Sequence, residues 1–261
     1  MVEEKIVPTN NPAGRLYEIL TRAIEIGQKK KKPSEKLQAS LVLAEALEID
    51  HTDSFREVFD GIYNLFRLVN DTELAINKLQ DVNRELYLSP IIEIKDAFGS
   101  LYFNLSEDWA LIAMGIDRGT LEKLKFCADA LSRQQGEIPL NVEEMNELHN
   151  EVRVLLERVI DAELNEDIRS FIFDKLQDIE QAIINYKFKG SEGLQRVIEA
   201  TLGATLMNED IRKEGENPIV ASFFTTITRV ASMLSIYSNT KQLGADVGRV
   251  LQKLLPGAKD M

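Results

Sequence analysis

The stretch NVEEMNELHNEVRVLLERVIDAELNEDIRSFIFDKLQDIEQAIINY, residues 141–186, decides the fold class. Met145, Leu148, Val152, Leu155 and Val159 recur at intervals of three and four, which places them along one stripe of an α-helix. Ile172, Leu176, Ile179, Ile183 and Tyr186 do the same further on. Asn141 followed by Glu144 resembles a capping box with Asn as the cap. Only Ala162–Asn165 separates the two periodic runs, so the chain is expected to fold back as an antiparallel hairpin over 141–188 with coiled-coil-like packing.

Outward from this hairpin the same signals recur. Asn11-Pro12, Ser89-Pro90 and Asn217-Pro218 each place a side-chain acceptor before a proline, the N-cap and N1 arrangement of a helix start. Pro33 with Ser34 marks another start, Thr120 and Ser191 are candidate caps, and Gly190 is a candidate terminator of the preceding helix. Phe55, Val58, Phe59, Ile62, Phe66 and Val69 form the apolar stripe of a further helix. Helices are also expected near 12–27, 34–47, 72–87, 90–105, 120–134 and 191–207. Ile91–Lys95 alternates briefly, but Phe98, Leu101, Tyr102 and Leu105 continue it at helical spacing. The expectation is an all-α, multi-helix bundle of nine to eleven helices with long antiparallel hairpins, packed as one elongated body or as two helical subdomains.

The 261 residues are 44% hydrophobic and 28% charged, enough for a buried core and far from the composition of a disordered chain. Charge is uneven along the chain. Residues 1–40 carry eight basic and five acidic side chains, whereas 41–120 carry six and fifteen. Residues 121–190 are again acidic and 191–261 neutral, for a total of −12. An acidic protein of this kind has little general affinity for nucleic acid or anionic lipid. The expected organisation is a flexible tail over 1–10, an acidic helical subdomain over 11–135 and a second subdomain over 136–261. The N-terminus lacks an apolar segment of signal-peptide length, so a cytoplasmic location is expected.

Candidate chemistry is sparse. Glu48-Ile-Asp-His51 has the Glu-x-x-His spacing of carboxylate-bridged metal bundles, but His149, the other histidine, has Asn146 where a carboxylate is needed. Glu93 and Lys95, with Asp81 upstream, have the spacing of a metal-dependent nuclease or hydrolase, though that chemistry favours a strand end. Cys127 with His51 or His149 could form a nucleophilic pair, yet Leu121, Leu124, Ala128 and Leu131 place it on a packing face. Lys29–Lys32 is the only basic run and has no interleaved aromatic residues for stacking on bases. Dinucleotide, phosphate-loop and nucleophile-elbow signatures are missing. No cofactor and no metal are expected, and no small-molecule site is evident.

The unusual segment lies near the C-terminus. From Asn217 to Thr240 the sole charge is Arg229, and Val220, Phe223, Ile227, Val230, Leu234 and Tyr237 recur at helical spacing with Phe224 beside them. Hydroxyl residues fill much of the remainder. A helix over 218–237 would rise about 30 Å. Gly244 and Gly248 follow in a Gly-x-x-x-Gly spacing on an expected terminal helix over 241–255. Three readings compete: a helix packed inside its own fold, a self-association or partner surface, and a segment that inserts into a membrane when triggered. The working expectation is a non-enzymatic interaction or self-assembly protein. It would contact a protein partner or a second copy through Val220, Phe223, Phe224, Ile227, Val230, Leu234, Tyr237, Gly244 and Gly248. The alternatives are a membrane-active effector and a metal-dependent nuclease or hydrolase.

Overall fold

The computed structural model describes residues 7–30, 36–49, 55–101, 104–137 and 140–237. Among these residues the fold is all-α, with eleven helices and no strand. The chain divides into two compact units, 1–136 and 137–261.

The first unit contains α1 (Pro12–Lys30), α2 (Ala39–Ala46), α3 (Phe55–Asn77), α4 (Arg84–Phe98), α5 (Trp109–Gly115) and α6 (Arg118–Gln135). Asn11 starts α1 by accepting from the Gly14 amide at 3.0 Å, with Pro12 at the first helical position as expected. One face of α1 buries Leu16, Ile19, Leu20 and Ala23 against α2, α3 and α6. α4 in turn packs on α3, α5 and α6. The starts of α2 and α5 are tied by backbone hydrogen bonds, from Ala39 N to Glu107 O and from Trp109 N to Leu37 O.

Several helix boundaries depart from expectation: α2 starts at Ala39 rather than near 34, and α4 ends at Phe98 rather than near 105. α3 continues unbroken to Asn77, and the expected helix over 72–87 is divided by a turn in which Asp81 has φ 55°. α4 starts at Arg84 after Asn83, leaving Pro90 buried in its interior rather than at its N-terminus. An interior proline removes the hydrogen bond to the carbonyl four residues back. Burial of Ile91, Ile94 and Phe98 along one face carries the helix through this gap, and Ser89 donates to Glu93 instead of capping. Asp117, not Thr120, caps α6, accepting from the Thr120 amide at 2.8 Å.

The second unit contains α7 (Val142–Ile160), α8 (Glu166–Ile184), α9 (Tyr186–Met207), α10 (Glu209–Lys213) and α11 (Pro218–Tyr237). Asn141 accepts from the Glu143 and Glu144 amides, and Asn165 from the Asp167 amide, so each arm of the hairpin starts on an asparagine cap. The stripes of α7 and α8 face each other with Leu148, Val152, Val159, Ile172, Leu176 and Ile179 fully buried. Gly190 breaks α9 with φ 62° and ψ −161°, a conformation that a side chain would strain. α11 lies against α7, α8 and α9.

Candidate functional site

The segment expected to meet a partner is inside the fold. Val220, Phe223, Phe224, Ile227, Val230 and Leu234 are all buried in the core cluster of the second unit. Phe171 of α8 meets the Phe223 ring edge-on at 6.4 Å between centroids. Among the described residues the apolar face of α11 is therefore covered by this chain's own α7, α8 and α9. Gly244, Gly248 and the expected helix over 241–255 lie outside the described residues, as does the side chain of Tyr237.

The hydroxyl-rich composition of α11 has a local explanation. Ser222, Thr225, Thr226 and Thr228 each donate to the carbonyl four residues back, to Pro218, Ala221, Ser222 and Phe224, at 2.7–3.1 Å. Each hydroxyl is satisfied within the helix, so it needs neither water nor a partner subunit. Arg229 donates to Glu147 at 3.0 Å and to Glu151, both on α7. The central charge that sequence alone left without a role ties α11 to its neighbour. Among the described residues no helix is long and apolar enough to cross a membrane.

The candidate catalytic residues are held apart. Glu93 accepts from Thr120 at 2.7 Å, from Ser89 at 2.9 Å and from Lys123. Burial acts to raise its pKa, but the hydrogen bonds from Lys123, Thr120 and Ser89 outweigh it and hold the carboxyl below the ordinary range. Lys95 pairs instead with Glu73 at 2.6 Å. Two residues apart on α4, Glu93 and Lys95 point about 200° from each other. Asp81 is exposed in the turn before α4. Glu93 and Lys95 are thus turned to different neighbours.

Among the described residues no group of three His, Cys, Asp or Glu side chains could hold a metal ion. Glu48 pairs with Arg22 at 2.6 Å, and His51 lies outside the described residues. His149 sits 3.5 Å from Glu180 in the second unit, while Cys127 belongs to the first. Burial pushes the Cys127 thiol up to about 12, and its Sγ lies 3.3 Å from the Tyr87 carbonyl. A nucleophilic cysteine needs the opposite shift. We expect native protein at neutral pH to resist a thiol-reactive disulfide reagent and to react only on unfolding. Rapid labelling of the native chain would contradict the burial. Lys30 pairs with Glu45, and Lys31 and Lys32 lie outside the described residues.

Two surface features of the first unit stand out. A cavity of about 710 Å³, with no counterpart in any sequence motif, is lined by residues including Ile24, Trp109, Met114, Arg118 and Leu121. The second feature is an apolar surface. On α3, Phe55, Phe59, Tyr63 and Leu74 are 75%, 51%, 53% and 58% exposed. At 100° per residue they share a single stripe with the half-buried Phe66. Phe66 anchors the stripe by stacking at a tilt on the buried Phe98, 5.6 Å between centroids. Beside it a groove of about 430 Å³ is walled by Ile62, Phe66, Leu101 and Leu105, with Arg67 and Asn70 at its rim.

The sequence reading placed Phe55 and Phe59 on one apolar stripe with Val58, Ile62, Phe66 and Val69. The structure gives the core to Val58, Ile62, Leu65, Leu68, Val69 and Ile76, and leaves Phe55 and Phe59 outside. Tyr63 and Leu74 were missed altogether. The signal that could have found them is width. Apolar residues of α3 span about 240° of the helix, well over twice the roughly 100° stripe that burying one face requires. No protein-family model, curated protein or solved structure matches this chain.

Proposed function

We propose that this chain is a helical protein–protein interaction module that docks a polypeptide along the aromatic stripe of α3. The observation that carries this reading is the exposure of Phe55, Phe59, Tyr63 and Leu74 on one helix face. Scattered exposed apolar side chains are ordinary, but several large ones aligned on one helix face are characteristic of a contact surface. Aromatic residues dominate the centres of such surfaces because a rigid ring buries much area for little lost freedom. The half-buried Phe66 and the adjacent groove supply a firm floor for an incoming apolar side chain. An amphipathic helix laid beside α3, anchored at successive turns, is the geometry that fits a stripe of this shape.

The reading predicts that a photoreactive phenylalanine analogue at position 63 forms a covalent protein adduct in the native cell. The same analogue at the exposed Arg196, on α9 of the second unit, should form none. If position 63 gives no adduct above the Arg196 control, the stripe is not a docking surface.

A further inference from the structure

We infer that the polypeptide covering α3 is a second copy of this chain, docked antiparallel about a two-fold axis that passes between Tyr63 and Asn64. The inference deepens the docking reading and rests on it. Its support is the charge order along the solvent-side edge of the stripe. That edge carries Arg56, Asp60, Arg67 and Asp71, at about 60–120° from Phe59 on the helix. The signs read plus, minus, plus, minus, with spacings of four, seven and four. Reversing the helix end for end about its 63/64 midpoint brings every position onto one of opposite sign. Arg56 falls opposite Asp71 of the second copy, and Asp60 opposite Arg67.

Helix geometry makes this correspondence physical. When two antiparallel helices face each other, a given edge of one lies beside the same edge of the other. The edge of α3 therefore meets itself, and two-fold symmetry generates four ion pairs from the two combinations. The same register places Phe55 between Asn70 and Leu74 of the second copy, and Phe59 between Phe66 and Asn70. Tyr63 meets its own counterpart near the axis. The contact would run about 28 Å, from Phe55 to Leu74 at 1.5 Å per residue. A parallel arrangement brings the charged edge against the opposite, apolar margin of the stripe and forms none of these pairs. Within one copy, Arg56 and Asp60 approach to 3.8 Å, and neither Arg67 nor Asp71 takes part in an ion pair among the described residues. The last two remain available to a partner.

The test uses the full chain. Sedimentation equilibrium should give a reversible dimer at twice the 29.5 kDa chain mass. Asp60→Arg sets like charges opposite each other twice across the axis and should weaken the dimer about tenfold or more, as should Arg67→Asp. The double variant Asp60→Arg, Arg67→Asp restores opposite signs and should return the dissociation constant to within about threefold of the original. Tyr63→Cys should form a disulfide-linked dimer on mild oxidation. Phe55→Cys should not, because its two copies would stand about 25 Å apart along the helices. The buried Cys127 contributes no background. A chain that stays monomeric, a double variant as weak as the singles, or cross-linking at position 55 overturns the inference. A monomer whose position 63 cross-links to a polypeptide of another mass overturns the second copy and leaves the docking reading standing. The absence of any adduct removes both.

Discussion

Phe223→Ala is expected to destabilise the second unit by about 3–5 kcal/mol, the usual cost of removing a fully buried aromatic side chain. Phe223 is completely enclosed and meets Phe171 of α8. A small domain is stable by about 5–15 kcal/mol, so this single change would consume a large share of that margin. Thermal unfolding followed by circular dichroism should show a transition lowered by roughly 10–15 °C. Thr225→Ala, on the exposed side of the same helix, should move it by a degree or two, since only a helix-internal hydroxyl bond to Ala221 is lost. The pair of variants separates two roles for α11. Were its apolar face a partner surface, Phe223→Ala would leave the isolated chain as stable as before. Deleting 217–261 should be harsher still, because it uncovers the core faces of α7, α8 and α9 together.

The second large effect is expected at Gly27. A Cβ built there would stand 1.9 Å from the Trp109 indole nitrogen and 2.5 Å from its Cδ1. The indole is buried, and the Trp109 amide bond to Leu37 fixes its backbone, so an added methyl must displace the ring or push α1 away from α5. Gly27→Ala should cost about 1–3 kcal/mol, the range for overpacking. Trp109 is the sole tryptophan, which makes its fluorescence a direct reporter. The emission should shift to the red in Gly27→Ala as the ring is driven toward water. In a Trp109→Leu background the same glycine change should cost under 1 kcal/mol, and urea titration of the four proteins gives the coupling directly. Equal costs in both backgrounds would show that the indole is not what requires glycine at position 27.

Helix identity was written plainly in the residues. Asn141 and Asn165 start the two arms of the hairpin, and Asn11 and Asn217 hold the first free amides of α1 and α11. These are contacts within four residues, settled by the local chain. Prediction failed where distant packing outweighed local preference. Ser89-Pro90 has the form of a helix start, yet α4 begins six residues earlier at Arg84, and only its part from Pro90 onward is buried, through Pro90, Ile91, Ile94 and Phe98. The 72–87 stretch failed for the converse reason: α3 outran its expected end, and the turn at Asp81 absorbed the rest.

The site was harder to read than the fold. An uncharged, hydroxyl-rich helix has the composition of an interface and of a central core helix alike. The difference lies in whether α7, α8 and α9 of the same unit reach it, and they do. On α3 the error ran in the opposite direction: Phe55 and Phe59 look like core, and the rest of the unit leaves them uncovered.

Periodicity, caps and charge were enough to establish that the chain is helical, where most helices run and which stripe of each is apolar, since these depend on residues three and four apart. Which apolar stripes are covered is a matter of neighbours remote in sequence. Burial is shared between surfaces, and no surface carries in its own residues the identity of what will lie against it. The three-dimensional arrangement thus enclosed Phe223 and left Tyr63 open.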